Sequence, residues 1–112
     1  MASEHDTLVK LILDHANASP ISMAINTRLE RSKRTVAEFD KGRPDVTMFL
    51  FGFAIFIEVK IPPDTQRKTQ KEFESRATRA MCKYWIVKSF DEYLEKYKAF
   101  QDAYALIFIR DY

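Results

Sequence analysis

The sequence predicts an α/β fold in which a central mixed sheet, with a β-hairpin at its middle, carries helices on both faces. The first observation is a stretch of apolar, β-branched and aromatic residues over 46–60, interrupted at Gly52, which is typical of a hairpin. The second is helical periodicity on either side of this stretch, over residues 3–18 and 65–81. Because 112 residues leave room for one core, we expect residues 1–112 to form a single domain.

The segment before the hairpin predicts an amphipathic helix over residues 3–18, in which Leu8, Leu11, Ile12 and His15 recur at helical spacing. Glu4 lies one turn before Leu8, so we expect it on the inward stripe of this helix. A short strand is predicted over 21–25. Residues 26–44 are polar and basic, which indicates a loop with one short strand near 35–39.

The hairpin has a predicted register as well as a predicted position. A turn centred between Phe51 and Gly52 gives one wholly apolar face, which we expect to pack into the core. Because Phe51 suits a two-residue turn poorly, we expect a four-residue loop with the same centre. The same register places Asp45 opposite Glu58 on the other face. The predicted apolar pairs are Val46 with Ile57, Met48 with Ile55, and Leu50 with Phe53.

The rest of the chain predicts two further helices and a strand. Two consecutive prolines after the hairpin end its second strand. The next helix is predicted over 65–81 and the next strand over 84–88. Ser89 begins a capping box with Glu92, which starts a helix through about residue 102. Residues 104–109 are a final strand or the end of that helix. The face that the first of these helices buries is predicted to carry Gln70, Phe73, Ala77 and Met81.

Composition excludes several classes of protein. Apolar residues make up 46% of the chain and charged residues 30%, which is ordinary for a globular domain. The apolar run over 46–57 is too short to span a bilayer, and nothing resembles a signal peptide, so no membrane partner is expected. The single Cys82 cannot form an internal disulfide, which fits a reducing cytoplasm, that of a bacterium or of a phage-infected host.

Basic residues flank the hairpin on both sides, although the net charge is only +2. This arrangement indicates a polyanion bound around an acidic centre, and a solvated surface with a chance excess of basic residues is the alternative. We expect contacts with phosphates of this polyanion from the loop before the hairpin. The candidates are Arg28, Arg31, Lys33, Arg34 and Arg43.

The candidate chemistry lies at the end of the hairpin. Two carboxylates facing each other across a hairpin, as expected for Asp45 and Glu58, repel unless something positive lies between them. Lys60 projects from the same face as Glu58, and a hard divalent cation such as Mg²⁺ or Mn²⁺ fits between oxygen ligands. The cation would activate water and polarise a phosphate, while Lys60 would orient the water or stabilise developing charge.

These residues resemble a known family. The run Gly42-Arg43-Pro44-Asp45, then Ile57-Glu58-Val59-Lys60, then Gln66 or Gln70 on the following helix, resembles the virus-type replication-repair nuclease (VRR-NUC) family of the PD-(D/E)xK superfamily. The stretch Ser89-Phe90-Asp91-Glu92 is similar to the family's ending, so the resemblance covers about residues 3–94. It implies a restriction-endonuclease-like core. The sequence departs from the family at residues 80–83, where a glycine-bearing turn is usual.

The resemblance also implies roles for individual residues. Asp45 and Glu58 would be metal ligands, with the Val59 carbonyl as a third and Glu4 completing the site. Lys60 would be the catalytic lysine. Gln70, rather than Gln66, would be the glutamine that supports the site. Without the resemblance, Glu4 is a first-turn residue complementing the helix dipole, and Gln70 is an ordinary helix residue.

The function implied is a Mg²⁺- or Mn²⁺-dependent, structure-selective DNA endonuclease. Small stand-alone members of the family resemble Holliday junction resolvases and act as homodimers, which predicts a phage or mobile-element resolvase that cuts four-way junctions. The alternatives are a flap-directed or restriction-like nuclease, a catalytically silent nucleic-acid-binding module, and a nuclease directed at RNA. Substrate choice separates the enzyme readings, and the sequence does not decide it.

Overall fold

The computed structural model describes residues 3–28 and 42–110, with the backbone alone for 106–110. Within them the chain forms one mixed sheet in the order β1-β2-β3-β4, in which β1, β2 and β3 are antiparallel and β4 is parallel to β3. The predicted α/β class and the central place of the hairpin are confirmed. In chain order the elements are α1 (Glu4–Ala18), β1 (Ser22–Asn26), β2 (Val46–Leu50), β3 (Phe53–Val59), α2 (Lys68–Arg79), β4 (Lys83–Val87) and α3 (Phe90–Arg110).

The two faces of the sheet are covered by different helices. On one face, strand residues such as Met48 and Ile57 form a single core with apolar residues of α1 and α3. On the other face, Phe73 of α2 packs edge-on against Phe56 of β3, with ring centroids 5.1 Å apart, and lies beside Tyr84 of β4. Because residues two apart in a strand point to the same face, Glu58 shares with Phe56 the side that α2 covers.

The hairpin has the predicted register. Val46 pairs with Ile57 and Leu50 with Phe53, and of the six apolar positions only Phe53 keeps appreciable exposure, at 36%. The expected four-residue loop is wrong, because Phe51 and Gly52 form a two-residue turn with φ values of 51° and 81°. Both values are positive, as a type I′ turn requires. Phe51 adopts this unfavourable backbone while its ring packs against the core, which offsets the strain.

Helix α1 begins where the sequence predicts, since Ser3 accepts a hydrogen bond of 3.1 Å from the Asp6 amide as its N-cap. The inward stripe, however, differs from the prediction. Leu11 is 43% exposed, and Glu4 is exposed as well, so the expectation that Glu4 lies on the inward stripe is wrong. The first turn projects past the buried stripe, which is Leu8, Val9, Ile12 and Ala16.

The last turn of α1 is hydrogen-bonded to β1, which is the outermost of the described strands on its side of the sheet. The Asn17 side chain donates to the carbonyl of Ala24 at 3.0 Å and accepts from the Ala24 amide at 2.8 Å. These two bonds satisfy backbone groups that β2 does not reach, because β1 lies at the edge of the sheet. Helix α1 is thereby fixed to the sheet through polar contacts in addition to its apolar stripe.

Helix α2 is shorter than predicted at both ends. It starts at Lys68 because the Gln70 side chain accepts the Arg67 amide at 2.8 Å and so caps the first turn. Met81, expected on the buried face, is instead 85% exposed and has a φ of 69° just past the helix end. The Cys82 amide donates to the Ala77 carbonyl at 3.0 Å, and Met81 therefore occupies the position that usually carries glycine in a Schellman motif.

Helix α3 begins where predicted and continues further. The Ser89 hydroxyl accepts from the Glu92 amide at 3.1 Å, and the helix runs to Arg110, so residues 104–109 are helical rather than a strand. His15 of α1 bonds the Tyr93 hydroxyl at 2.8 Å, which places this histidine at the edge of the core. The strand expected near 35–39 lies outside the described residues. None of the described helices is both long and apolar enough to cross a membrane.

Candidate active site

The predicted catalytic residues meet at one end of the sheet, where β2 begins and β3 ends. Asp45 directly precedes β2, Glu58 is the second-to-last residue of β3, and Lys60 directly follows that strand. All three are buried, with exposed fractions of 3% for Asp45, 0% for Glu58 and 9% for Lys60. Burying three ionisable groups is costly unless they interact with one another or with a ligand.

Glu58 has one partnered and one unpartnered carboxylate oxygen. The Tyr84 hydroxyl, from β4, donates to Oε1 at 2.8 Å. Burial and the neighbouring charge of Glu58 raise the pKa of Tyr84, so this hydroxyl remains protonated and available as a donor. Oε2 is buried and has no hydrogen-bond partner among the described residues. An unpartnered buried oxygen is uncommon and calls for an explanation.

The pKa of Glu58 is raised above its ordinary value. Burial is the largest cause, and the nearby charge of Asp45 adds to it. The Tyr84 hydroxyl, the Lys60 ammonium and the Gln66 amide lower the pKa without cancelling the effect of burial. The predicted triad therefore interacts electrostatically around Glu58. In the absence of a further cation, the charged form of this carboxylate is disfavoured.

Asp45 has partners for both oxygens. The Val59 amide donates to Oδ2 at 2.8 Å. Oδ1 lies 3.2 Å from Nε2 of His5, in the first turn of α1, and 3.4 Å from Nη1 of Arg28, which follows β1. Because the N–H and C=O of a strand residue point to the same side, the Val59 carbonyl also points toward the β2 side, as a third ligand would require.

The run before Asp45 approaches the start of α2. Gly42 lies so close to this helix that a Cβ there would be 2.0 Å from the carbonyl oxygen of Thr69. Only glycine allows this approach without displacement of backbone. Pro44 is fully buried beside it. The Gly42-Arg43-Pro44-Asp45 run thus connects the carboxylate at the start of β2 to the first turn of α2.

The two candidate glutamines lie in positions other than those the sequence predicts. Gln70 is 2% exposed, and its Oε1 accepts from the Arg67 amide, so this oxygen caps α2 rather than facing the carboxylates. The Gln66 side chain, the less favoured candidate, lies close enough to Glu58 to lower its pKa, while its own hydrogen bond is donated to Glu74 at 3.1 Å. Gln66 is therefore the glutamine that the fold brings to Glu58.

Glu4, predicted to complete the site, is not brought to it. Its exposed side chain lines a groove with Lys88 and Phe90, and its neighbour His5 is the α1 residue that contacts Asp45. The physical reason is the helical turn of about 100° per residue, which points adjacent side chains in different directions. His5 also lines a cleft next to Asp45, together with Lys10 and Asn26.

The predicted phosphate contacts fall into three groups. Arg28 is directed toward Asp45 and the Arg43 carbonyl, and its role as a phosphate contact stays a prediction. Arg43 is half-buried, and its carbonyl accepts hydrogen bonds from the Arg28 guanidinium. Arg31, Lys33 and Arg34 lie outside the described residues.

The carboxylates of Asp45 and Glu58 are the candidate ligands of a divalent cation. Among residues 3–28 and 42–110, no three His, Cys, Asp or Glu side chains come together as a metal cluster. Mg²⁺, however, is commonly bound by one or two carboxylates, with water and phosphate oxygens as the other ligands. Asp45 and Glu58 supply two carboxylates, and Oε2 of Glu58 is a buried oxygen without a partner. These residues fit a hard cation of that kind.

Two residues of this cluster are not among those that the sequence predicts. Only the parallel pairing of β3 with β4 brings Tyr84 to Glu58. His5 directly follows Glu4 at the start of α1, and this position is the signal that could have found it. Arg28 is predicted as a DNA contact, and nothing in its sequence context indicates a partner at Asp45.

Comparisons of the chain with protein-family models, with characterised proteins and with solved structures give no match. The resemblance to the VRR-NUC family therefore stays a prediction from the motif residues alone. The chemistry of these residues is argued from their positions and contacts in the structure.

Proposed function

We propose that this chain is a metal-dependent nuclease of the PD-(D/E)xK kind, with Asp45, Glu58 and Lys60 at its centre. One observation carries the proposal. Glu58 is fully buried next to an acidic and a basic side chain, and its Oε2 lacks a hydrogen-bond partner among the described residues. A bound cation would satisfy that oxygen and offset the repulsion between the carboxylates.

Mg²⁺ or Mn²⁺ would be bound by Asp45, Glu58 and the Val59 carbonyl, and would supply an acidified water and charge neutralisation at the phosphate. The Tyr84 hydroxyl holds Oε1 of Glu58, so Oε2 would be the oxygen available to the cation. Lys60, buried beside Glu58, orients the attacking water or stabilises charge that develops on the phosphate. Gln66 supports the carboxylate from the loop that precedes α2.

The proposed substrate is branched DNA, with a four-way junction as the first candidate. Basic residues around the hairpin support a polyanionic substrate, and the resemblance to small VRR-NUC proteins supports a Holliday junction resolvase. A junction needs two symmetric cuts, which favours a homodimer with one site in each subunit. Sedimentation at micromolar concentration tests the dimer: a monomer that still makes paired cuts would remove this part of the proposal.

The function is tested by incubating the protein with end-labelled four-way junction, 5′-flap and linear duplex DNA in Mg²⁺, Mn²⁺ or EDTA. Lys60→Ala is the inactive variant, and Lys83→Ala, which removes an exposed lysine at the start of β4, is the matched control. We expect paired nicks in the junction that require the metal, persist in Lys83→Ala and disappear in Lys60→Ala.

Other outcomes separate the alternative functions. Cleavage of the flap alone would retain the active site and assign it to flap processing, and cleavage of linear duplex would indicate a restriction-like enzyme. Preference for an RNA strand of the same structure would move the substrate to RNA. Tight binding without any cleavage, in a folded protein with either metal, would replace the nuclease with a binding module.

A further inference from the structure

Arg28 is attached to the candidate site by contacts of two different kinds. Its Nε and Nη2 donate to the Arg43 carbonyl at 3.0 and 2.8 Å, which are ordinary hydrogen-bond lengths. Its Nη1 lies 3.4 Å from Oδ1 of Asp45, a longer contact of charge with charge. The side chain is 23% exposed, so the guanidinium lies at the rim of the site rather than deep within it.

The contact with Arg28 occupies the oxygen that a bridging cation would need. Oδ2 of Asp45 accepts from the Val59 amide, and Oδ1 is contacted by Nη1 of Arg28 and, at 3.2 Å, by Nε2 of His5. Of these neighbours Arg28 carries a fixed positive charge, so it is the group that a cation at Oδ1 would displace. A divalent cation at Oδ1 would lie close to the guanidinium, and two positive groups at that separation repel. The cation and the guanidinium therefore compete for Asp45, whereas Oε2 of Glu58 has no hydrogen-bond partner to displace among the described residues.

We propose that Arg28 is the resident counter-ion of Asp45 and that a divalent cation displaces it during binding. This inference rests on the proposed metal-dependent function. The two bonds to the Arg43 carbonyl keep the displaced guanidinium next to the site, while Nη1 loses its carboxylate partner. A guanidinium with a free N–H at the rim of a metal centre is a ligand for a phosphate oxygen.

Metal binding and phosphate binding are then coupled through one side chain. A phosphate that engages Arg28 lowers the competition for Asp45, and a cation at Asp45 releases Arg28 for the phosphate. By linkage each ligand raises the affinity of the other by the same factor. Arg28 is in this sense a positioning residue, which reaches the substrate only after the metal has bound.

The experiment measures Mn²⁺ affinity by calorimetry and by the electron paramagnetic resonance signal of free Mn²⁺, with no nucleic acid present. The variants are Arg28→Gln, which removes the charge but keeps an amide donor for the Arg43 carbonyl, and Arg28→Lys, which keeps the charge. Asp45→Asn removes the ligand. Circular dichroism and an unfolding titration establish that each variant is folded.

We expect Arg28→Gln to bind Mn²⁺ about tenfold more tightly than the unmodified protein, within the usual range of a coupling between two sites. Arg28→Lys should remain within about threefold of the unmodified protein, because the competing charge is retained. Asp45→Asn should bind more weakly than all of these. A purely structural role for Arg28 would weaken binding in both Arg28 variants.

Equal or weaker Mn²⁺ binding by folded Arg28→Gln, with clear binding by the unmodified protein, would overturn the exchange at Asp45 and leave the metal-dependent function standing. Absence of Mn²⁺ binding at millimolar concentration in every folded variant would overturn both. A second measurement adds inorganic phosphate to the titration. It should tighten Mn²⁺ binding by the unmodified protein more than by Arg28→Gln, and an equal effect on the two would contradict the coupling.

Discussion

Replacing Glu58 by glutamine should stabilise the metal-free protein while removing its metal binding. The charged carboxylate is disfavoured at this position because burial outweighs the favourable contributions of Tyr84 and Lys60. Glutamine keeps the size of the side chain and an oxygen for the Tyr84 hydroxyl, and it carries no charge. A stabilising substitution at the centre of a site is the signature of a residue retained for function rather than for folding.

The magnitude follows from the buried charge. A tenfold change in the proton affinity of a carboxyl corresponds to about 1.4 kcal/mol, and burial shifts the pKa of Glu58 in the direction that disfavours its charged form. The new amide nitrogen occupies the position of the unpartnered Oε2 and offsets part of the gain, so Glu58→Gln should raise the free energy of unfolding by roughly 1 kcal/mol at pH 8. For a domain of this size this corresponds to roughly 4 °C in Tm per kcal/mol.

The pH dependence has a definite sign. Because the folded-state pKa of Glu58 is raised above 4.5, the stability that this group contributes is fully present below that value. It is lost as the pH rises through the folded-state pKa. The gap between the variant and the unmodified protein should therefore widen from pH 4 to pH 8.

The assay is urea unfolding followed by far-UV circular dichroism, in EDTA at several pH values and again in excess Mn²⁺. Glu72→Gln, an exposed carboxylate on α2, is the control and should change stability by no more than about 0.5 kcal/mol. Mn²⁺ at a hundred times its Kd should stabilise the unmodified protein by about 2.7 kcal/mol. Glu58→Gln should gain much less.

A lower stability of Glu58→Gln than of the unmodified protein, at pH 8 in EDTA, would refute the reasoning. It would mean that the carboxylate is a favourable structural partner of Lys60. The argument for a cation at Oε2 would then lose its basis, whatever the cleavage assays gave.

Three further substitutions test the local geometry. Tyr84→Phe removes the donor to Oε1 and should raise the pKa of Glu58 further, with a loss of about 1.5–3 kcal/mol at pH 8 by urea unfolding; an unchanged pH profile would contradict this. Met81→Gly should stabilise the protein by about 0.5–1 kcal/mol in thermal unfolding, because Met81 has a positive φ and is exposed; a lower Tm would count against it. Gly42→Ala should cost about 1–3 kcal/mol, because the new Cβ meets the Thr69 carbonyl; an unfolding midpoint equal to that of the unmodified protein would show that the backbone yields freely.

The pairing of the hairpin strands could be predicted from local sequence. The apolar positions on either side of Gly52 were sufficient to predict the pairing of Val46 with Ile57, and that register brings Asp45 near Glu58. The turn type was not predictable from propensity, because Phe51 tolerates a positive φ only when its ring packs against the core. Tertiary packing overrides local preference at that position.

Contacts between residues far apart in the chain could not be predicted from the sequence. The parallel register of β3 and β4 brings Tyr84 to Glu58, and no local signal encodes a pairing made across a helix. The roles of Gln66 and Gln70 depended on where α2 starts, which the cap at Arg67 sets. Helical spacing placed Glu4 on the buried stripe, but the first turn of α1 extends past the residues that would cover it.

The hydrogen bonds of Asn17 affect whether a strand of another molecule can pair with β1. Its amide presents to Ala24 the same donor and acceptor that a neighbouring strand would offer, so it imitates one residue of a fifth strand. An edge strand with exposed apolar side chains, here Met23 at 54% and Ile25 at 50%, is a template for intermolecular pairing and fibril growth. Among the described residues, the Asn17 side chain thus occupies the backbone groups of Ala24, the middle residue of β1, and makes the addition of another strand at that position less favourable.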